Sequence, residues 1–190
     1  NGADDMQLNG YNGGGISAEG NLNIGVTNTN TVTADAGQSA IEVSGGNLAI
    51  TGGGTLNATG QTDVITAAGN GITGGDVTVD GATVNVTATG TDANGEECEF
   101  AWEHDGQSNK GGRVSIGSGS TVTVKAESAL ESQGIVSRVN NGAARVEIAG
   151  DSLVTAIADA SNGMWGAVGI EAAGMGNDAT ADIIIDGKNT

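Results

Sequence analysis

Over residues 41–59 the chain reads IEVSGGNLAITGGGTLNAT, with apolar side chains on every second position. Ile41 and Val43, Leu48 and Ile50, and Leu56 and Ala58 form three short runs separated by small polar residues. A period of two puts alternate side chains on opposite faces, so each run predicts a strand with one buried face. Gly45 and Gly46, then Gly52, Gly53 and Gly54, separate the runs. Glycine reaches positive φ without steric penalty, so each cluster can turn the chain sharply. Three strands and two corners predict one turn of a coil.

The unit recurs. Its middle run returns as Leu22 and Ile24, Leu48 and Ile50, Val77 and Val79, Val114 and Ile116, Val146 and Ile148, and Ile183 and Ile185. The spacing of about 26 to 37 residues is that of stacked repeats, and its unevenness places insertions at the turns. The third run returns as Val32 and Ala34, Leu56 and Ala58, Val84 and Val86, and Val122 and Val124. In its last copy, residues 153–158, either Val154 and Ala156 or Leu153 and Ile157 point inward. The first run returns as Ile16 and Ala18, Ile41 and Val43, Ile72 or Ile65, Phe100 and Trp102, Ile135, and Val168 and Ile170.

Like runs are expected to stack on like runs as parallel sheets with apolar ladders inside. One unit cannot bury its own apolar face. Stacked neighbours can, and each buried Val, Leu or Ile then contributes roughly 1.5–3 kcal/mol. The expected fold is an all-β, right-handed parallel β-helix, a solenoid of about six coils. It forms a single domain over residues 1–190, with an acidic loop insertion at 89–112. No stretch has a convincing helical period. Residues 126–137 (AESALESQGIVS) have mild helical character and suit a loop helix or an irregular turn.

Composition narrows the function classes. The chain has 35 Gly, no Pro, one Phe, one Tyr and two Trp, so its core must be narrow and aliphatic. The sustained alternation of β-branched residues argues against disorder, despite so much Gly. A formal net charge of −17, from 6 basic and 23 acidic residues, disfavours nucleic acid and anionic membrane surfaces. No apolar run approaches the length of a membrane span. No leader is visible at Asn1, so an exported protein would be represented here by a mature or trimmed piece. Cys98 is the single cysteine, and Glu96, Glu97 and Glu99 around it disfavour the thiolate. A passive loop thiol is expected.

The segments NLAITGGGTLNATG and DVTVDGATVNVTATG resemble the repeats of bacterial cell-surface proteins with right-handed parallel β-helices. In particular the chain is similar to the calcium-dependent, pectin-binding carbohydrate-binding domain family, over about residues 15–187. The resemblance implies an exported, non-enzymatic module that binds a polysaccharide or a host or cell-surface glycan, with Ca²⁺ as the candidate cofactor. That family often carries a Gly-Asp-Gly-Ile turn. The matching place here reads Gly69-Asn70-Gly71-Ile72, with Asn70 where the carboxylate would be.

Three groups of residues are candidates for chemistry. Ca²⁺ takes six to eight oxygens, and the insertion offers Asp92, Glu96, Glu97, Glu99 and Asp105 as metal ligands; the competing reading is a solvated acidic loop. Trp165, in the connection 158–176, falls on the opposite parity from Met164, Gly166, Val168 and Ile170. It is therefore preferred over Trp102 as a saccharide contact, although a loop Trp can also cover a core end. The outward positions of the third runs are Thr31, Thr33, Thr55, Asn57, Thr83, Asn85, Thr87, Thr121 and Thr123, a flat Thr/Asn surface interrupted by Lys125. Thr83, Asn85 and Asn57 are the ligand-binding candidates on it. Such ladders suit polysaccharide hydroxyls or ice, and Thr also simply fits exposed strands.

Catalysis is not expected. A lyase needs clustered carboxylates beside a base. None of Arg113, Arg138, Arg145, Lys110 and Lys125 pairs with outward Asp residues on successive coils in this register. His104, the lone histidine, has no nucleophile elbow to serve. A polysaccharide-active enzyme of the pectate-lyase type is the alternative reading, and a purely structural stalk the third. The expected location is secreted or on a bacterial cell surface, with an adhesin-like role.

Overall fold

Alternating β-branched and small polar residues leave the chain one way to bury its apolar face, which is strand on strand. The computed structural model describes residues 6–9, 15–34, 38–61, 64–68, 75–89, 112–128, 131–139, 142–160, 166–174 and 179–186. Among these every regular element is a strand. In chain order they are β1 (Met6–Asn9), β2 (Ile16–Glu19), β3 (Leu22–Gly25), β4 (Thr29–Thr33), β5 (Ile41–Ser44) and β6 (Leu48–Thr51). Then come β7 (Thr55–Gly60), β8 (Ile65–Ala68), β9 (Val77–Asp80), β10 (Thr83–Thr89), β11 (Gly112–Ile116) and β12 (Thr121–Ser128). The last are β13 (Glu131–Val139), β14 (Ala143–Ile148), β15 (Leu153–Ala160), β16 (Gly166–Gly174) and β17 (Thr180–Ile185).

The strands form four sheets. Sheet A runs β1-β4-β7-β10-β12-β15, sheet B β2-β5-β8, sheet C β3-β6-β9-β11-β14-β17, and sheet D β13-β16. Every pairing is parallel. Successive strands visit different sheets, and the chain then returns to a sheet one strand further along. The protein is therefore all-β, built from parallel sheets laid down in sequence order.

The register of sheet C puts Leu22, Leu48, Val77, Val114, Val146 and Ile183 in one column. Ile24, Ile50, Val79, Ile116, Ile148 and Ile185 form a second. Both are the expected ladders. Their middle members are buried, from Leu48 at 1% exposure to Val146 at 0%. In sheet B, Ile16, Ile41 and Ile65 align, so Ile65 takes the place that Ile72 could have filled. In sheet D, Ile135 aligns with Ile170.

Sheet A corrects one expectation and decides a parity that alternation left open. Val32 lies beside Ala58 and Val86, and the inward neighbour of Leu56 is Asn30. The first copy is thus offset by two residues from the expected stacking, because a shift of two preserves the buried face and alternation alone cannot detect it. Val154 and Ala156 align with the buried Val122 and Val124, which leaves Leu153 and Ile157 outward at 64% and 46% exposure. Residues 126–128 and 131–137, the described part of that stretch, are not helical either. They fall in the end of β12 and in β13, where pairing with β15 and β16 overrides the helix preference of Ala and Glu.

Close approach at the corners explains two of the glycines. Gly46 sits so near its neighbour that an added Cβ would stand 2.2 Å from the carbonyl carbon of Gly20. Gly52 has φ 110° and leaves 2.4 Å between such a Cβ and the Val26 carbonyl oxygen. A side chain at either place is excluded by the backbone stacked against it. Polar groups at other corners are satisfied: buried Ser120 Oγ accepts the Gly81 N–H at 3.0 Å and donates to the Val79 carbonyl at 3.3 Å.

Candidate ligand-binding face

The outward residues of sheet A stand in columns. Thr29, Thr55, Thr83 and Thr121 form one, followed by Leu153. Thr31, Asn57, Asn85, Thr123 and Thr155 form the next. Thr33, Thr59 and Thr87 form a third, continued by Lys125 and Ile157. Parallel strands lie about 4.8 Å apart and same-face residues recur about 6.6 Å along each strand, so the hydroxyls and amides make a regular grid.

Within the grid Asn85 Nδ2 donates to Asn57 Oδ1 at 2.9 Å. This bond fixes both amides, which leaves the two Nδ2 hydrogens of Asn57, one Nδ2 hydrogen of Asn85 and the Asn85 Oδ1 for other partners. Thr83 lies beside Asn85 on the same face. The three ligand-binding residues singled out on this face are thus brought together. Lys125 forms an ion pair with Glu127 at the margin of the grid. At the end strand, β15, the polar grid gives way to exposed Leu153 and Ile157.

Trp165 and the metal-ligand candidates Asp92, Glu96, Glu97, Glu99 and Asp105 lie outside the described residues. So do Trp102, Phe100, Cys98 and His104. Among the described residues no group of three or more His, Cys, Asp or Glu is placed to hold a metal ion.

The outer face of sheet C carries chemistry that the sequence reading missed. The residue ahead of each inward column is Asn21, Asn47, Asp76, Arg113, Arg145 or Asp182. Asn21 Oδ1 accepts the Asn47 N–H at 2.9 Å, and Asn47 Oδ1 accepts the Asp76 N–H at 3.1 Å. Asp76 in turn accepts the Arg113 N–H. Burial raises the Asp76 pKa above the ordinary carboxylate value, opposed by that N–H bond and by the Arg113 charge.

Further along, Arg113 Nη2 pairs with Glu147, and Arg145 Nε lies 2.7 Å from the other oxygen of Glu147 without hydrogen-bond alignment. Arg145 is the register partner of Asp182. Arg113 and Arg145 thus lie next to Asp76 and Asp182 in the register, while their side-chain ion pairs run to Glu147. The legible signal was the polar residue preceding each apolar pair: Asn in NLNI and NLAI, Asp in DVTV and Arg in RVSI and RVEI. The arrangement ties strands together through opposite charges.

A further ion pair, Arg138 with Glu171, spans sheet D. Arg138 Nη2 donates to Gln133 Oε1 at 2.8 Å and to Glu171 Oε2 at 3.3 Å. This satisfies Gln133, which is 2% exposed on β13. Where β11, β14 and β17 end, two open clefts of about 270 Å³ each share Asp186. Ser115, Glu147 and Ile184 line one, and Ser118 and Asp151 the other.

Comparison of the chain with protein-family models, with curated proteins and with solved structures finds no match. Among the described residues no helix is long and apolar enough to cross a membrane.

Proposed function

We propose that the strands wind as a right-handed parallel β-helix of about six coils, and that its sheet A face binds carbohydrate. On this reading the protein is a non-enzymatic, adhesin-like module, secreted or held on a bacterial cell surface. The grid of outward Thr and Asn side chains carries the reading. It presents donors and acceptors at a fixed repeat across four strands, which suits a partner that repeats hydroxyls. The resemblance to pectin-binding surface domains supports the same class of ligand, a polysaccharide or a host or cell-surface glycan. Trp165 is proposed as an additional saccharide contact. Asp92, Glu96, Glu97, Glu99 and Asp105 are proposed as a cation site, with Ca²⁺ the ion to test.

Binding to a glycan array, with Ca²⁺ and with chelator, tests the ligand class. The paired variant Thr55→Val and Thr83→Val keeps side-chain shape and removes two hydroxyls. It is expected to weaken glycan binding about 10-fold while leaving the melting temperature within a few degrees, since each lost hydrogen bond to ligand costs about 0.5–1.5 kcal/mol. No binding by the wild type, or none lost in the variant, would favour a structural stalk. Calorimetric titration of Ca²⁺ into a chelator-treated sample tests the metal, and absence of heat would remove it.

A further inference from the structure

The exposed large aliphatic side chains of the described residues lie on the three strands that end the sheets: Leu153 on β15, Val168 on β16, and Ile183 and Ile185 on β17, with their neighbours Ile157 and Ile184. Ile183 and Ile185 are 47% and 65% exposed, although they continue columns whose inner members are buried. The opposite edges of sheets A, B and C are β1, β2 and β3. There Ile16, Leu22 and Ile24 are also only partly buried against the core. Among the described residues nothing caps either end of the apolar interior, and each end strand presents an edge of backbone N–H and C=O groups with no ladder partner among them.

We propose that these two ends fit each other, so that the chain associates head to tail with a second copy. All strands run parallel, so a copy translated along the stack presents β1, β2 and β3 in the direction that β15, β16 and β17 require. Leu22 of the second copy would continue the column of Ile183, Ile24 that of Ile185, and Ile16 that of Ile170. Each sheet gains a parallel neighbour with its apolar parity intact. A contact between unlike surfaces leaves a free end on every copy, so it yields open-ended oligomers rather than a closed dimer. Each end carries a carboxylate, Glu19 on β2 and Asp182 on β17, and the whole chain carries −17. Repulsion between copies opposes stacking at low salt and is screened as salt rises.

Sedimentation velocity of the full 190-residue chain tests this, across micromolar to near-millimolar protein at about 0.02 M and about 0.5 M salt. The average mass is expected to grow beyond the dimer with concentration, and to be larger at the higher salt. The paired variant Ile184→Lys and Ile185→Lys places charge on the exposed edge strand and is expected to stay monomeric, with an unchanged far-ultraviolet spectrum. If that variant loses its β spectrum, Leu153→Lys replaces it, at an outward position of another sheet edge. A wild-type chain that is monomeric at every concentration and salt, or that stops at the dimer, would overturn the proposal. So would undiminished association in the folded edge variants.

Discussion

At the scale of single residues, position in a column decides consequence. Leu48 is 1% exposed between Leu22 and Val77, and the strands around it are held by ladders on both sides. Leu48→Ala is expected to cost about 2–5 kcal/mol, because rigid neighbours cannot collapse into the void. Urea denaturation measures it. Asp76 makes a different prediction. Burial raises its pKa in the folded protein, so the folded state holds its proton more tightly than the unfolded chain does. The folded state is favoured while the group is protonated, below its unfolded value of 3.8. That advantage is lost as pH rises through the raised folded value. Asp76→Asn should therefore gain stability relative to wild type as pH goes from 3 to 7. The side-chain oxygen can still accept the Arg113 N–H, as Asn21 and Asn47 do for their neighbours. Paired denaturation curves at the two pH values would show the difference, and an equal offset at both would refute it.

Among elements, the edge strand β15 separates parity from hydrophobicity. Leu153 and Val154 are adjacent aliphatic residues, yet Leu153 is 64% exposed and Val154 packs against the core. Leu153→Ser is expected to change stability by less than about 0.5 kcal/mol, whereas Val154→Ser should cost about 1–3 kcal/mol through a poorly partnered hydroxyl and lost packing. Thermal melts distinguish them. The sequence alone left this choice open, because in residues 153–158 both parities are apolar. The sheet C columns, in contrast, were mostly legible: pairs such as Val77 and Val79 or Val114 and Ile116 enclose a polar residue and have one reading, whereas Ile183–Ile185 is apolar at both parities. The two-residue offset of β4 was hidden, since Asn30 fills an inward position that an aliphatic residue would have marked. The strand at 131–139 was legible only at Ile135, which the alternation placed with Ile170. It carries Ser132, Gln133 and Ser137 in buried places; Ser132 Oγ donates to the Asp159 carbonyl at 2.6 Å and Ser137 Oγ to the Gly112 carbonyl at 2.9 Å, partners distant in sequence, while Gln133 is held by Arg138 of its own strand. Gly46→Ala belongs to this scale as well. The stacked backbone of Gly20 leaves no room, so the variant is expected to melt well below wild type in a thermal scan.

For the whole molecule, the parallel register places residues far apart in sequence at distances set only by the number of strands between them. The outward column Thr31, Asn57, Asn85, Thr123 and Thr155 crosses four strand spacings, or about 19 Å. This same column carries the proposed glycan face, so its geometry underlies the proposed function as well as the fold. The most direct measurement is a spin-label distance between Thr31→Cys and Thr155→Cys in a Cys98→Ser background, diluted with unlabelled protein to remove contacts between copies. A single narrow distribution near 19 Å, broadened only by the labels, is the predicted result. A broad distribution, or a peak beyond about twice that distance, would contradict the stacked columns on which the fold and the binding face both rest.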